Sequence, residues 1–341
     1  MSSRSKKRNV TMIDVARHAG VSQTTVSFVL NSDDTPNIPD ETRQRVLDAV
    51  AELGYRPNAL AKGLRMNKSG IFGFVTDEIA ITPFAGKTFE GAQDVAWENR
   101  KILILVNTKS KPDVENTAVD LLLGSQVEGI IYATMFHRPV QLPAVLREIP
   151  LVLLDCFVED RQIPSVVPDE FDGGCVATNH LLEKGYTRIG FINNIDTIPA
   201  TIGRFEGYKS ALEAAGIPFE PELVYSDVSL QAGGYRGALY LLQQKNRPTA
   251  LFCFNDRMAM GAYDAIRKLN LRIPEDVAVM GFDNQDVIAE HLHPPLSTME
   301  LPHYQMGIWA AQHLIEIVSD GEHQNPVQYK IKCRLIERES V

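Results

Sequence analysis

The sequence predicts an α/β protein in two parts: a small three-helix head, then a core of two doubly wound parallel-sheet subdomains. Two patterns predict this. Near the start, Thr11 to Asn31 reads as two short helices joined by a tight turn. From Ile71 onward, short apolar runs alternate with amphipathic helices, as parallel sheets covered on both faces require. Charge divides the chain at the same place. Residues 1–70 hold 11 Lys+Arg against 7 Asp+Glu, a net +4, and the remainder holds 23 against 36, a net −13. An acidic body limits unspecific attachment away from the basic end.

Taken in order, SSRSKKR is a basic tail, read as a flexible arm near DNA. Thr11 and Asp14 have capping-box spacing, which starts a helix at Met12. Ala16 is small where a second helix must cross closely. Gly20 can take the positive φ that ends the first helix. Ser22 then caps the second helix, with Val26, Val29 and Leu30 turned inward and Gln23, Thr24, Thr25 and Ser27 facing out. Short polar side chains opening an exposed second helix are what a major-groove reader presents to base edges and phosphates. An ordinary helical hairpin is the plainer alternative; it loses because cap, small residue, glycine and second cap fall in register. The DNA-facing set is Thr11, Ser22, Gln23, Thr24, Thr25, Ser27 and Asn31.

A third helix follows over ETRQRVLDAVAEL, with Val46, Leu47, Val50 and Leu53 as its inner stripe and Gly54 as its end. Next comes YRPNALAKGLR. Pro57 and Asn58 can start a helix, but it is too short to hold alone in water, and Gly63 weakens it further. Composition alone favours a plain linker here.

The core reads as strands IFGFVT, KILILVN, GIIYAT, PLVLLD, RIGFIN, ALFCFN and VAVMGFD with helices between them. Two such sets imply two doubly wound subdomains. Ligands of these folds sit outside the carboxyl ends of the strands. Asp77, Asp155, Asn255, Asp256 and Asp283 stand there, and Arg204 opens the helix of GRFEGYKSAL. Carboxylates, an amide and a guanidinium suit a hydroxyl-rich ligand. Each alone is more often a cap or a surface charge, and Asp256 is read as the cap of RMAMGAYDAI. His137 is a further candidate at the cleft edge. His291 and His293 read as loop histidines before a proline turn, not as metal ligands. Cys156, Cys175, Cys253 and Cys333 are scattered, as reduced core thiols are. No phosphate loop, nucleophile elbow, zinc-helix motif or dinucleotide fingerprint is found, so no catalytic residue, metal or cofactor is expected.

Thr11–Asn31, with YRPNALAKGL and the chain beyond it, resembles the lactose-repressor (LacI/GalR) family of bacterial transcription regulators over nearly all of its length. The resemblance implies a periplasmic-binding-protein-like core. It divides the chain into a DNA-binding head (1–56), a hinge helix and linker (57–70) and an effector-binding and dimerisation domain (71–341). The core's first subdomain is expected over about 71–168 and 300–326, its second over about 169–299 and 327–341, with crossings near Asp169, Met299 and Val327. YKIKCRLIERESV is read as a single last strand. The resemblance turns the linker into a hinge helix that forms when two chains meet on an operator. There Leu64 wedges into the minor groove beside Asn58, Ala61 and Lys62, and Gly63 departs from the helix-prone residues expected. Phe28 stands where several relatives carry arginine. In the core, Asp155, Arg204, Asn255 and Asp283 match effector-contacting positions, and Phe84 matches a pocket-lining one. Some members have an aromatic after the strand ending near Asp227; SDVSLQAGGY has none.

The expected function is a sequence-specific regulator, a repressor. It binds a pseudo-palindromic double-stranded operator as a homodimer and is controlled by a small ligand, a sugar or glycoside, in the core cleft. No leucine-heptad tail follows, which favours a dimer over a tetramer. No apolar run suits a membrane span, so a cytoplasmic protein is expected, nucleoid-associated when on DNA. Two other readings compete. A sugar-binding module of the transport type would carry an export signal and no DNA head. A sugar enzyme would need a phosphate loop or a catalytic carboxylate with metal partners.

Overall fold

The computed structural model describes residues 10–31, 38–55, 69–78, 86–320 and 328–341. The hinge positions Asn58, Ala61, Lys62, Gly63 and Leu64, and also Phe84, lie outside the described residues. The chain divides into two units, Met1–Ser69 and Gly70–Val341.

The first unit holds α1 (Met12–Ala19), α2 (Gln23–Asn31) and α3 (Asp40–Leu53). The capping box forms as the spacing requires. Thr11 donates its N–H and its hydroxyl to Asp14 Oδ2 at 2.9 and 2.7 Å, and the Asp14 N–H returns to Thr11 Oγ1 at 3.4 Å. Gly20 ends α1 at φ +66°, with its N–H on the Ala16 carbonyl. Ser22 Oγ accepts from the Thr25 N–H at 3.0 Å and so caps α2. Val15, Ala16, Ala19, Val26, Val29, Val46 and Ala49 close the core. The stripe on α3 is Val46, Ala49, Val50 and Leu53, whereas Leu47, expected inside, is exposed. Helical spacing explains the correction: three- and four-residue steps from Val46 reach 49, 50 and 53, and residue 47 lies about 100° off that line.

The second unit contains two six-stranded sheets. The strands are β1 (Ile71–Thr76), β2 (Ile102–Asn107), β3 (Gly129–Pro139), β4 (Leu151–Phe157), β5 (Ser165–Asp169), β6 (Ile189–Asn194), β7 (Val224–Asp227), β8 (Ala250–Cys253), β9 (Ala278–Asp283), β10 (Ser297–Glu300), β11 (Gln328–Lys332) and β12 (Arg334–Ile336). One sheet runs β11-β5-β4-β3-β1-β2 and is parallel throughout. The other runs β12-β10-β9-β8-β6-β7, with only β12 antiparallel.

Helices cover both faces of each sheet, which is why the central strands are apolar on both sides. On the first sheet α4 (Gly86–Glu98) and α10 (His303–Asp320) pack one face and α5 (Pro112–Gly124) the other. On the second, α6 (Glu170–Glu183) and α7 (Pro199–Ala214) cover one face, α8 (Gln231–Leu242) and α9 (Asp256–Lys268) the other. Cys156, Cys253 and Cys333 are buried, Cys175 is half-buried, and all four are free thiols.

The chain crosses between the sheets after β5 and after β10, as expected near Asp169 and Met299. The third crossing falls at Cys333, not near Val327. YKIKCRLIERESV is not one strand: Gln328–Lys332 still pairs with β5 in the first sheet, and Arg334–Ile336 pairs with β10 in the second. Both halves of that run are short and apolar-poor, so its composition does not mark the break.

Candidate functional site

Two surfaces carry the polar residues singled out by sequence. The first is the opening of α2. Gln23 and Thr24 are exposed there, and Phe28 beyond them is 49% exposed. Thr25 and Ser27 are half-buried rather than facing out; the Thr25 hydroxyl is held at 2.8 Å by Ser22 Oγ, because the capping serine draws it back against the turn. Thr11 and Ser22 are likewise engaged in caps. The Asn31 side chain lies outside the description. His18 Nε2 meets Glu52 Oε2 at 2.8 Å and ties α1 to α3.

The second is a cleft of about 380 Å³ at the carboxyl ends of the strands of both sheets. Asp155, Arg204, Asn255 and Asp283 line it together with residues that sequence reasoning missed, among them Glu170, Phe254 and His303. Asp77 does not line it. Its Oδ1 accepts from the Met135 N–H and its Oδ2 from Arg138, both at 2.9 Å.

Those bonds hold an irregular stretch of β3. Its pairing with β4 slips between Ala133 and Arg138, and bulges of this kind re-aim side chains. Thr134 Oγ1 closes the bulge by donating to the Phe136 and Asp155 carbonyls, each at 2.9 Å. Met135, Phe136 and His137 thereby face the cleft. GIIYAT reads as a strand that stops at Thr134, so this wall was not visible in the sequence beyond the single mention of His137.

Arg204 sits in the second turn of a helix that begins at Pro199, not at its opening. It is 3% exposed and nearly saturated. Nε donates to Glu170 Oε2 at 2.7 Å and Nη2 to Oε1 at 3.4 Å. Nη1 donates to the Phe254 carbonyl at 2.6 Å and to Asp283 Oδ1 at 3.3 Å. The guanidinium lies 3.7 Å from the Phe282 ring centre and 4.5 Å from that of Phe254, a favourable arrangement for a desolvated cation. Arg204 is therefore first the hub of a buried ion cluster. Glu170 had one available signal: it follows Asp169, which ends a strand at the expected crossing.

Asn255, not Asp256, caps α9: its Oδ1 accepts from the Met258 N–H at 2.9 Å while Nδ2 donates to the Ser229 carbonyl at 3.1 Å. Asp256 is fully buried, accepting from the Thr298 hydroxyl at 2.6 Å and the Gln285 N–H at 2.7 Å. Burial first, then the Asp283 charge, pushes its carboxyl up to about 8. The folded chain thus keeps a proton that the unfolded chain releases near its ordinary value of 3.8. This residue's favourable contribution is complete below about pH 4 and is lost as pH rises towards about 8. Asp256→Asn should flatten that part of the stability–pH profile between pH 5 and 8 in urea unfolding. A wild-type slope in the variant would remove Asp256 as its source.

His291 and His293 lie in the turn before Pro294, where the His293 carbonyl accepts from Arg267. Among the described residues no His, Cys, Asp and Glu group could hold a metal ion, and no helix is long and apolar enough to cross a membrane.

Comparison with known proteins finds relatives for both parts of the chain. A family profile described as "Bacterial regulatory proteins, lacI family" matches residues 11–58, and one described as "Periplasmic binding protein-like domain" matches residues 178–341. The transcriptional regulator RegA of Clostridium saccharobutylicum is 36% identical over 96% of this chain and 98% of its own. The transcriptional repressor PurR of Yersinia pestis is 34% identical over 97% of this chain and 96% of its own. Among solved structures, the lac repressor dimer bound to operator and the anti-inducer ONPF superposes with a TM-score of 0.81 at 25% identity, covering 98% of this chain and 99% of that one. The CelR–cellobiose complex does so with a TM-score of 0.66 at 27% identity, covering 98% and 100%.

Proposed function

We propose that this chain, which belongs to the lacI family of bacterial regulatory proteins, is a repressor that binds a pseudo-palindromic operator as a homodimer and is controlled by a sugar or glycoside. It is a DNA-binding transcriptional regulator with a ligand-binding core, and its relatives are regulators rather than enzymes. The observation that carries the reading is that both sheets contribute to one cleft. A ligand touching Asp155 on one wall and Asn255 or Asp283 on the other fixes one subdomain against its neighbour. That supplies the differential contact which coupling to DNA requires. Acceptors and donors beside the apolar flanks of Phe136, Ile198 and Phe254 suit a sugar ring, and a structural relative holds cellobiose.

The dimer reading is supported by an apolar groove along β2, at the edge of its sheet, and α5. Ile104, Val106, Val114 and Leu121 line it, and Leu121 is 67% exposed. Such a patch on an edge strand marks an interface, and the lac repressor compared above is a dimer.

In the head, Gln23 and Thr24 carry the base reading, with Ser22, Thr25, Ser27, Thr11 and Asn31 positioning the helix. Asn58, Ala61, Lys62 and Leu64 form the hinge contacts. Replacing Gln23 and Thr24 by alanine should weaken specific binding by about 1–3 kcal/mol per lost base contact and leave unspecific binding little changed. Competition binding on operator and random DNA measures both. Equal weakening of the two would refute base reading by this pair.

A further inference from the structure

Hydrogen bonds on the cleft floor are unevenly shared. Glu170 and Asp283 are both paired with Arg204, and the second oxygen of Asp283 accepts from the Gln285 side-chain amide. Asp155 is different. It faces the cavity at 5% exposure, and its Oδ1 is enclosed without a partner. Its backbone stands at φ +57°, a left-handed conformation that persists in a non-glycine residue only where the surroundings impose it. Beside it on the same wall, His137 has both ring nitrogens enclosed and unpartnered. Its ring lies edge-on to Phe157 at 5.4 Å.

The charges are also out of balance. Asp155, Glu170, Asp196 and Asp283 line the cavity against Arg204 and Arg257. His303 lines it as well, held neutral because burial, then Lys87 and Arg204, lower its pKa to about 4. An anionic ligand such as a sugar phosphate meets like charge here. With Asp155 ionised, four carboxylates against two guanidiniums leave an excess of two negative charges, which a ligand bringing one positive charge halves.

We propose that the effector carries a protonated amine seated between Asp155 and His137; within the carbohydrate class proposed above, on which this rests, it is an amino sugar. Burial first and then the Glu170 charge hold the Asp155 carboxyl well above the usual carboxylate range, which favours its protonated form before a ligand binds. Burial, with Arg161 and Lys330 behind it, lowers His137 to about 4 and keeps it neutral. The ligand arrives as an ammonium. Asp155 loses its proton to solvent, its carboxylate accepts ammonium N–H groups, and a neutral His137 nitrogen accepts another. One proton leaves for each ligand bound.

The test is calorimetric titration of the full chain with three matched sugars: cellobiose, its diamine analogue and the N-acetylated form of that diamine. Two buffers of different ionisation enthalpy are used, at a pH where the amine is charged. The diamine should bind at least about tenfold tighter than either neutral sugar, with release of up to one proton. In Asp155→Asn the advantage should vanish, while Asp264→Asn, an exposed aspartate on α9 outside the cavity lining, should keep it. Equal binding of cellobiose and diamine, absence of proton release, or an advantage that survives Asp155→Asn would each overturn the proposal. Binding of cellobiose alone contradicts only the amine; binding of no sugar contradicts the carbohydrate reading as well.

Discussion

Arg204→Ala is expected to lower the stability of the core by about 3–5 kcal/mol, the usual cost of removing one partner from a buried ion pair. The guanidinium is 3% exposed and holds two carboxylates, Glu170 and Asp283, and a backbone carbonyl. Its loss leaves those carboxylates enclosed without a counter-charge, and it also strips the stacked cation from Phe282 and Phe254. Urea unfolding measures the change. Replacing both members, Arg204→Met with Glu170→Leu, should recover a large part of it, because the cost comes from the uncompensated charge and not from lost volume. Effector response should fail in the single variant even where it remains folded, since the cleft floor loses its shape. A single variant as stable as wild type would remove Arg204 from the centre of the cluster.

Gly174→Ala is the second large effect, with an expected net loss of about 2–3 kcal/mol. A Cβ at Gly174 runs into the Arg204 backbone, and one at Gly207 meets the backbone of Phe171 and Cys175. The helices α6 and α7 therefore cross in direct backbone contact. Alanine would otherwise favour the helix by about 1 kcal/mol. The clash wins because backbone cannot rotate aside. Glu170 stands one turn before Gly174 on the same face, so separating the helices pulls Glu170 from Arg204 and should weaken effector binding as well. Gly124→Ala, where nothing lies within 4 Å, is the control and should be neutral or mildly stabilising. Equal melting temperatures for the Gly174 and Gly124 variants would contradict the close crossing.

The helical head was readable from Thr11 to Asn31 because its caps and its small residues are local signals. The alternation of strands and helices was readable for the same reason: each strand is apolar over its own few residues. What failed depended on distant partners. Leu47 is apolar but one step off the α3 stripe. Cys333 separates two sheets without any change of composition. Asp77, Asp155 and Asp283 look alike as strand-end aspartates. Only the fold assigns Asp77 to a bulge, Asp283 to an ion cluster and Asp155 to an unpartnered place in the cleft. Glu170 was missed because a glutamate at a helix start is ordinary until Arg204 is placed against it.

The most direct measurement starts by selecting DNA from a randomised pool with the full chain. Binding of the selected sequence is then followed by fluorescence anisotropy while a sugar shown by calorimetry to occupy the cleft is added. The expected result is an enriched inverted repeat, bound by two chains, whose affinity falls at least about tenfold as the cleft fills, a coupling of about 1.4 kcal/mol or more. A selected sequence without two-fold symmetry, or an operator affinity that stays constant while the cleft is saturated, would contradict ligand control of DNA binding by this chain.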